Sequence, residues 1–409
     1  TAGVRFIRMV QEDSYDLVVG NPPYLGASKM SDDAYVKQHY PMGKADLYAA
    51  FLERGLQLAK PGGLSALLTM RNWMFISQYS EIRQHLIETY DLRAIGDLDQ
   101  AAFEFVTNSE VLAVVMSIFC KKSPEVTKEG IAIRWIQMDE NVYNTGRTAR
   151  KVAAFLCQAK RFEFQSDRFT AIKEQPIVYW WDDDFLKQYY QSVKIGENSP
   201  ARMGVNTGSN QRFLRLPWEI HSAKLTAIKT TESFEEIHKV KWVPYVKGAA
   251  GKIWIEGLDD VINWKDHGFE VKVNVVRKFD WSGLNWKICN SNFYFMPGIS
   301  YSTIGANFSA RARQYRSIFD VSGSSVFPNN IANTTCLMNS QLAQTVLSSL
   351  NPTVNFQVVD VNRLPLFPIE SADEIFTQLD LTFTEHEAAR ETSVEFIQPG
   401  TSGWNYAQA

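Results

Sequence analysis

The sequence predicts an α/β region, half of a doubly wound sheet, followed by a mixed α+β, β-rich region, and three observations carry that expectation. Within the first 120 residues, short apolar runs alternate with amphipathic helical ones. Two strand-like runs then follow one another with no helix between them. Beyond residue 200 the pattern changes to short segments rich in Trp, Tyr, Phe, Gly and Asn. With 409 residues, 45% of them hydrophobic, the chain has room for two or three domains with sizeable cores.

Taken in order, Asp16–Val19 reads as a buried strand ending at Gly20. Asp46–Ala59 reads as an amphipathic helix closed by Lys60-Pro61-Gly62-Gly63, and Leu64–Met70 as the next strand. Ser77 is placed to cap a helix running through Glu88. Leu92–Leu98 and Val111–Phe119 are strand-like, and without an intervening helix they are expected to pair antiparallel at a sheet edge. A strand at Ile131–Gln137 and a helix at Arg147–Lys160 follow. The expected divisions are 1–150 for the half sheet, 151–200 for a connector, 201–367 for the β-rich region, and 368–409 for an acidic tail or the start of a further region.

Charge is uneven along these divisions. Residues 201–330 carry 17 basic against 11 acidic groups, whereas residues 331–409 carry 2 against 9. A locally basic middle fits a phosphate-facing module as well as an ordinary solvated face. The four cysteines form no CxxC pair and the six histidines are scattered, so no metal site is expected and a reduced, cytoplasmic setting fits. The longest apolar run, Val111 to Cys120, is about half of a bilayer span, which argues against a membrane protein.

The most informative residues are Asn21-Pro22-Pro23-Tyr24, directly after the first strand. A base amine is a poor nucleophile because its lone pair is delocalised into the ring. Two acceptors on its two N–H bonds localise that pair. The Asn21 carboxamide oxygen supplies one acceptor and the Pro22 carbonyl the other, held rigid because Pro23 restricts the residue before it. Tyr24 offers a flat face for a base removed from its helix, worth roughly 1–3 kcal/mol per stacked base. By chance this tetrad arises in roughly one chain in a thousand of this length. Its place at the carboxyl end of a strand, where α/β folds put their sites, adds to the case.

These residues resemble the amino-methyltransferases that act on adenine N6 in DNA, whose motif is Asp/Asn/Ser-Pro-Pro-Tyr/Phe/Trp. Lys44 to Phe51 and Leu58 to Gly63 look like the family's next motif, and the resemblance makes Asp46, Leu47 and Tyr48 cofactor-binding residues beside the methyl donor. Ala102 to Val106 looks like the segment that sets a second ring against the flipped base, with Phe103 and Phe105 both open for that role. Arg202 to Phe213, Lys241 to Tyr245 and Asn351 to Gln357 look like target-recognition regions of large bacterial enzymes, most like the PglX-type methyltransferases of BREX phage-defence systems, with fused restriction-modification enzymes sharing parts of the pattern.

The resemblance implies the second half of a Rossmann-like methyltransferase sheet with a target-recognition domain, S-adenosylmethionine as cofactor, and double-stranded DNA as partner. Other defence-system or restriction subunits are further partners it implies. Candidate DNA contacts are Arg202, Asn206, Asn210, Arg212 and Arg215 in one glycine-containing stretch, Lys247 and Lys252 in a second, and Arg311, Arg313 and Arg316 as a possible groove-facing strip. The family's glycine-rich donor turn cannot be placed here, because Gly204–Gly208 and Gly248–Gly251 follow no suitable strand and lie after the tetrad. It is therefore expected upstream of Thr1 in the same polypeptide, and this chain alone is expected to bind the donor weakly and to be inactive. Two other readings stay open: a methyltransferase for RNA or protein glutamine, and a non-catalytic DNA-specificity or scaffolding module.

Overall fold

The computed structural model describes residues 2–100, 102–103, 113–121, 129–134, 147–233, 241–351 and 353–408. They form two compact units, 1–190 and 191–409.

In the first unit a short helix, α1 (Ala2–Met9), precedes strand β1 (Tyr15–Gly20). The ladder of β1 stops where Pro22 and Pro23 remove backbone donors. Helices α2 (Asp33–His39) and α3 (Leu47–Leu58) make the crossover to β2 (Ala59–Met70), which lies parallel to β1 with Val18 opposite Ser65. A helix α4 (Ser80–Thr89) leads into β3 (Tyr90–Asp99), and β4 (Val114–Lys121), β5 (Glu129–Arg134) and β6 (Arg161–Gln165) complete the sheet, with α5 (Arg147–Leu156) between the last two.

The strand order is β1-β2-β4-β3-β5-β6. Strands β3 and β4 pair antiparallel as expected, with Ile95 opposite Ser117. Their position differs from expectation: β4 is inserted between β2 and β3, and β5 continues the sheet parallel to β3. The apolar run of β4 is long because it is flanked by strands on both sides, which a sheet edge would not require. One face of the sheet packs under α3 and α4, burying Leu52, Leu56, Leu67, Ile82, Leu86 and Phe119. On the other, Phe155 of α5 closes to 3.2 Å of the space a Cβ would fill at Gly96.

Two local expectations are corrected. Ser77 does not cap α4; its hydroxyl donates to Glu174 at 2.7 Å, and Tyr79 stands at the cap position. Residues 161–165 are not connector, because β6 pairs with β5 and buries Phe164.

Among its described residues the second unit holds two four-stranded sheets. The first, in the order β13-β8-β10-β7, comprises β7 (Leu214–Arg215), β8 (Trp242–Val246), β10 (Asp260–Asn263) and β13 (Ile318–Phe319). The second, in the order β14-β11-β12-β9, comprises β9 (Trp254–Glu256), β11 (Ile299–Tyr301), β12 (Ala310–Arg313) and β14 (Ser325–Val326). These short strands match the β-rich expectation. Val205, Phe213, Val243, Tyr245, Ile262 and Phe319 form a core cluster on the first of these sheets. Residues 368–409 are not a separate tail. The helix Ala372–Ala389 packs on β9, where Ile255, Phe383 and Trp404 make a buried cluster. No helix among the described residues is long and apolar enough to cross a membrane.

Candidate active site

Strands β1, β2, β3 and β5 run parallel, so Gly20, Met70, Asp99 and Arg134 all end on one edge of the sheet. In such sheets that edge carries the chemistry. The tetrad leaves β1 there, with Asn21 and Pro23 exposed, Pro22 buried and Tyr24 half-buried.

Its geometry is set by Tyr24 and Asp46. The Tyr24 hydroxyl donates to Asn21 Oδ1 at 3.1 Å and lies 3.4 Å from the Leu68 carbonyl at the end of β2. Burial pushes the Tyr24 pKa up to about 12, so the hydroxyl keeps its proton and remains a donor. The Asn21 oxygen is thereby oriented while a second lone pair stays available to an incoming amine. Beneath, the edge of one ring meets the face of the other between Tyr24 and the fully buried Tyr48, with centroids 6.1 Å apart.

Asp46 ties this loop to α3. Its carboxylate accepts from the Tyr48 N–H at 3.3 Å as the N-cap and from the Leu25 N–H at 3.0 Å. The backbone adds Leu47 N–H to the Leu25 carbonyl at 3.0 Å. Burial raises the Asp46 pKa, against the downward pull of those N–H groups.

Of the three residues assigned to the donor, Asp46 and Tyr48 are therefore turned inward. Both are buried and position the Asn21–Tyr24 loop. Leu47 differs: with Leu25, Met30, Tyr35, Val36 and Phe51 it lines a largely apolar cavity of about 280 Å³ beside the loop. Phe51, 43% exposed, was not among the assigned residues although it ends the same motif. Phe103 is half-buried shortly after β3, and Phe105 lies outside the described residues.

Sequence reasoning also missed a buried polar cluster on the same edge. Arg71, directly after β2, donates to Asp97 of β3 at 2.9 Å, and the Tyr179 hydroxyl donates to the same carboxylate at 2.7 Å. Arg134 at the end of β5 lies 4.2 Å from the Trp180 ring centroid, and burial lowers its pKa. The cluster joins three strand ends to the segment near residue 180, and no local pattern in the sequence announces it.

In the second unit the expected DNA contacts divide. Arg311 and Arg313 do not form a groove-facing strip. They point into the protein from β12, at 0% and 4% exposure. Arg311 pairs with the buried Glu256 and donates to the carbonyls of Ala249 and Lys247 at 3.1 Å each. Arg313 donates to Ser300 at 2.8 Å and also to Ser325, and burial lowers its pKa to about 9. Arg316 donates to backbone carbonyls of Thr230, Glu232 and Phe295. The burial of Arg311 and Arg313 leaves those two no face for phosphate, whereas Arg316 is half-buried and spends its donors on backbone carbonyls.

Lys247 and Lys252 are ion-paired with Asp260 and Asp259. Arg202, half-buried, stands over the Phe293 ring. Asn206 and Asn210 brace their own loop, accepting from the Gly208 N–H at 3.0 Å and the Thr207 hydroxyl at 2.6 Å. Arg215 donates to the Gln211 and Leu214 carbonyls, while Arg212 is exposed.

Residues 3–103 match the family described as Eco57I restriction-modification methylase. The chain is 30% identical over 367 residues to the adenine-specific methyltransferase PglX of Lacticaseibacillus casei (strain Zhang), covering 86% of this chain and 29% of that protein. It is 27% identical over 360 residues to the adenine-specific methyltransferase BrxX of Escherichia coli O9:H4 (strain HS), covering 86% of this chain and 28% of that protein. The chain thus spans under a third of the length of these curated relatives. In fold it is similar to the Type IIL restriction-modification enzyme MmeI, solved in complex with DNA, at a TM-score of 0.52 and 11% identity over 95% of this chain and 51% of that one. Residues 3–103 are thus similar to the Eco57I restriction-modification methylase family, and over 86% of its length the chain is similar to the adenine-specific methyltransferases PglX and BrxX.

Proposed function

We propose that the protein to which this chain belongs methylates N6 of a flipped adenine in duplex DNA, marking host DNA in restriction-modification or phage defence. In this reading the first unit presents the base and the second contacts the duplex. The observation that carries it is the Asn21 oxygen held by the Tyr24 hydroxyl at the carboxyl end of β1. Asn21 Oδ1 and the Pro22 carbonyl accept the two N–H bonds of the amine, and the Tyr24 ring stacks on the base. This is catalysis by positioning and fixed dipoles, and it requires no covalent enzyme intermediate.

S-adenosylmethionine, when bound, supplies the electrophilic methyl group. The cavity walled by Leu25, Leu47 and Phe51 fits an aromatic ring of such a donor. Among the described residues β1 pairs only with β2, and its Leu17 and Val19 are 52% and 70% exposed. An apolar edge of this kind favours further strands and covering helices, which is where the remainder of a donor site belongs in this proposal. The deciding experiment uses the full-length protein: Asn21→Ala abolishes N6-methyladenine formation, read by mass spectrometry of digested DNA, while duplex affinity stays within about twofold. Methylation retained by that variant removes Asn21 from the mechanism. Loss of duplex binding together with methylation favours instead a role for the loop in DNA docking.

A further inference from the structure

With the arginines of β12 committed to the interior, the cations and aromatic rings left on the surface of the second unit are concentrated elsewhere. The helix Lys265–Lys287 carries Trp281 and Trp286 at 76% and 59% exposure. A tryptophan so exposed on a folded protein is uncommon, and two within six residues mark a contact surface. Asp280 just before them stands at φ 59° and ψ 178°, backbone that non-glycine residues rarely adopt. The kink there turns the last part of the helix away from its first part.

Charge collects at the same place. The Lys287 ammonium lies 3.9 Å from the Trp286 ring centroid and 4.8 Å from that of Phe279, and Lys278 lies 5.5 Å from Phe279. Arg277 is exposed and has no ion pair among the described residues. The loop that contains Asn206 and Arg212 is seated on this helix. Lys278 donates to the Gly208 carbonyl at 2.8 Å, Asn274 donates to the Thr207 carbonyl at 3.0 Å, and the Asn206 N–H donates to the Lys287 carbonyl at 2.7 Å. Gly208, at φ +70°, faces Asn274 and Phe279 at distances where a Cβ would be in contact. Residues 202–215 and 265–287 together carry eight basic and three acidic groups, in a chain whose net charge is −3.

We propose that this loop and helix form one surface that follows the sugar–phosphate backbone of duplex DNA. Arg212, Arg277, Lys278 and Lys287 meet phosphates, and Trp281 and Trp286 pack against the sugars. The occupant is an anionic polymer, because an apolar protein partner would be met by tryptophans without flanking ammonium groups, and phosphate contacts are the term that such cations supply. The surface positions the duplex and carries no sequence information of its own. The inference rests on the proposed reading of the second unit as a DNA-contacting module.

The test uses full-length protein and fluorescence anisotropy with a labelled 30-base-pair duplex, at several salt concentrations, on Arg277→Ala/Trp281→Ala and on Arg277→Glu. Both positions are exposed, and circular dichroism checks that each variant is folded. The expected result is affinity lower by tenfold or more, by the same factor on target and on random duplex, with a salt slope shallower by about one for each phosphate no longer met by a cation. Wild-type affinity and slope in folded variants overturn this surface and leave the methylation reading standing. So does a loss confined to one sequence, which would assign base readout, or unchanged DNA binding with loss of a co-purifying protein partner, which would assign protein docking. A wild-type protein that neither binds nor methylates duplex overturns the reading and the surface together.

Discussion

Replacing Tyr24 with Phe separates the two tasks assigned to that residue. The ring, its edge-to-face contact with Tyr48 and its capacity to stack on a base remain; only the hydroxyl is removed. That hydroxyl makes one bond of ordinary length, 3.1 Å to Asn21 Oδ1, and one long contact of 3.4 Å to the Leu68 carbonyl. A single net hydrogen bond is worth about 1 kcal/mol, which corresponds to roughly a fivefold change in the population of the aligned Asn21 side chain. Catalysis by positioning then predicts kcat reduced about five- to tenfold in the full-length protein, with KM for DNA essentially unchanged. Tyr24→Ala is expected to lose in addition the roughly 1–3 kcal/mol of stacking, and with it some DNA affinity. The assay is transfer of labelled methyl groups to a duplex under saturating donor. A wild-type kcat in Tyr24→Phe refutes the argument that the hydroxyl aligns the amide.

Asp46→Ala removes both a helix cap and the anchor of Leu25, and about 1–2 kcal/mol of stability is expected to go with it, seen as a lower midpoint for the first unit in urea. Arg311→Ala leaves Glu256 buried and unpaired, and about 3–5 kcal/mol is expected to be lost in thermal or urea unfolding of the second unit; a stable, folded variant with weaker DNA binding would instead return Arg311 to the DNA interface. Burial holds Asp320 at a pKa of about 6 against an ordinary 3.8, so the folded state favours its protonated form. Its contribution is fully present below pH 3.8 and lost as pH rises through 6, by at most about 3 kcal/mol; Asp320→Asn is expected to flatten urea midpoints across that window, and an unchanged slope would contradict it.

Much of the first unit was legible because its signals are local. The apolar run of β1, the tetrad directly after it and the amphipathic pattern from Asp46 to Ala59 each lie within or beside the element they define. What failed there was connection. The place of β4 between β2 and β3 depends on pairing across dozens of residues, which hydrophobic periodicity does not encode. Ser77 had the residue type of a cap, and a glutamate about a hundred positions away took its hydroxyl.

The same distinction separates the candidate active site from the candidate DNA contacts. Tyr24 holds Asn21 three residues away, and Asp46 holds Leu25 twenty-one residues away, inside one crossover whose order the sequence displays. The second unit is assembled from short strands that bring Arg311 to Glu256 across fifty-five residues, while its kinked helix brings Lys278 to Gly208 across seventy. In such a fold an arginine's type says little about its role. Arg311 and Arg313 stand on a strand buried at every position and became interior groups, whereas Arg277 lies on an exposed stretch of the kinked helix and stayed at the surface. Charge counted along the sequence cannot separate these two fates, because a strand that is buried at every position takes its guanidinium groups into the interior whatever the surplus of charge around it.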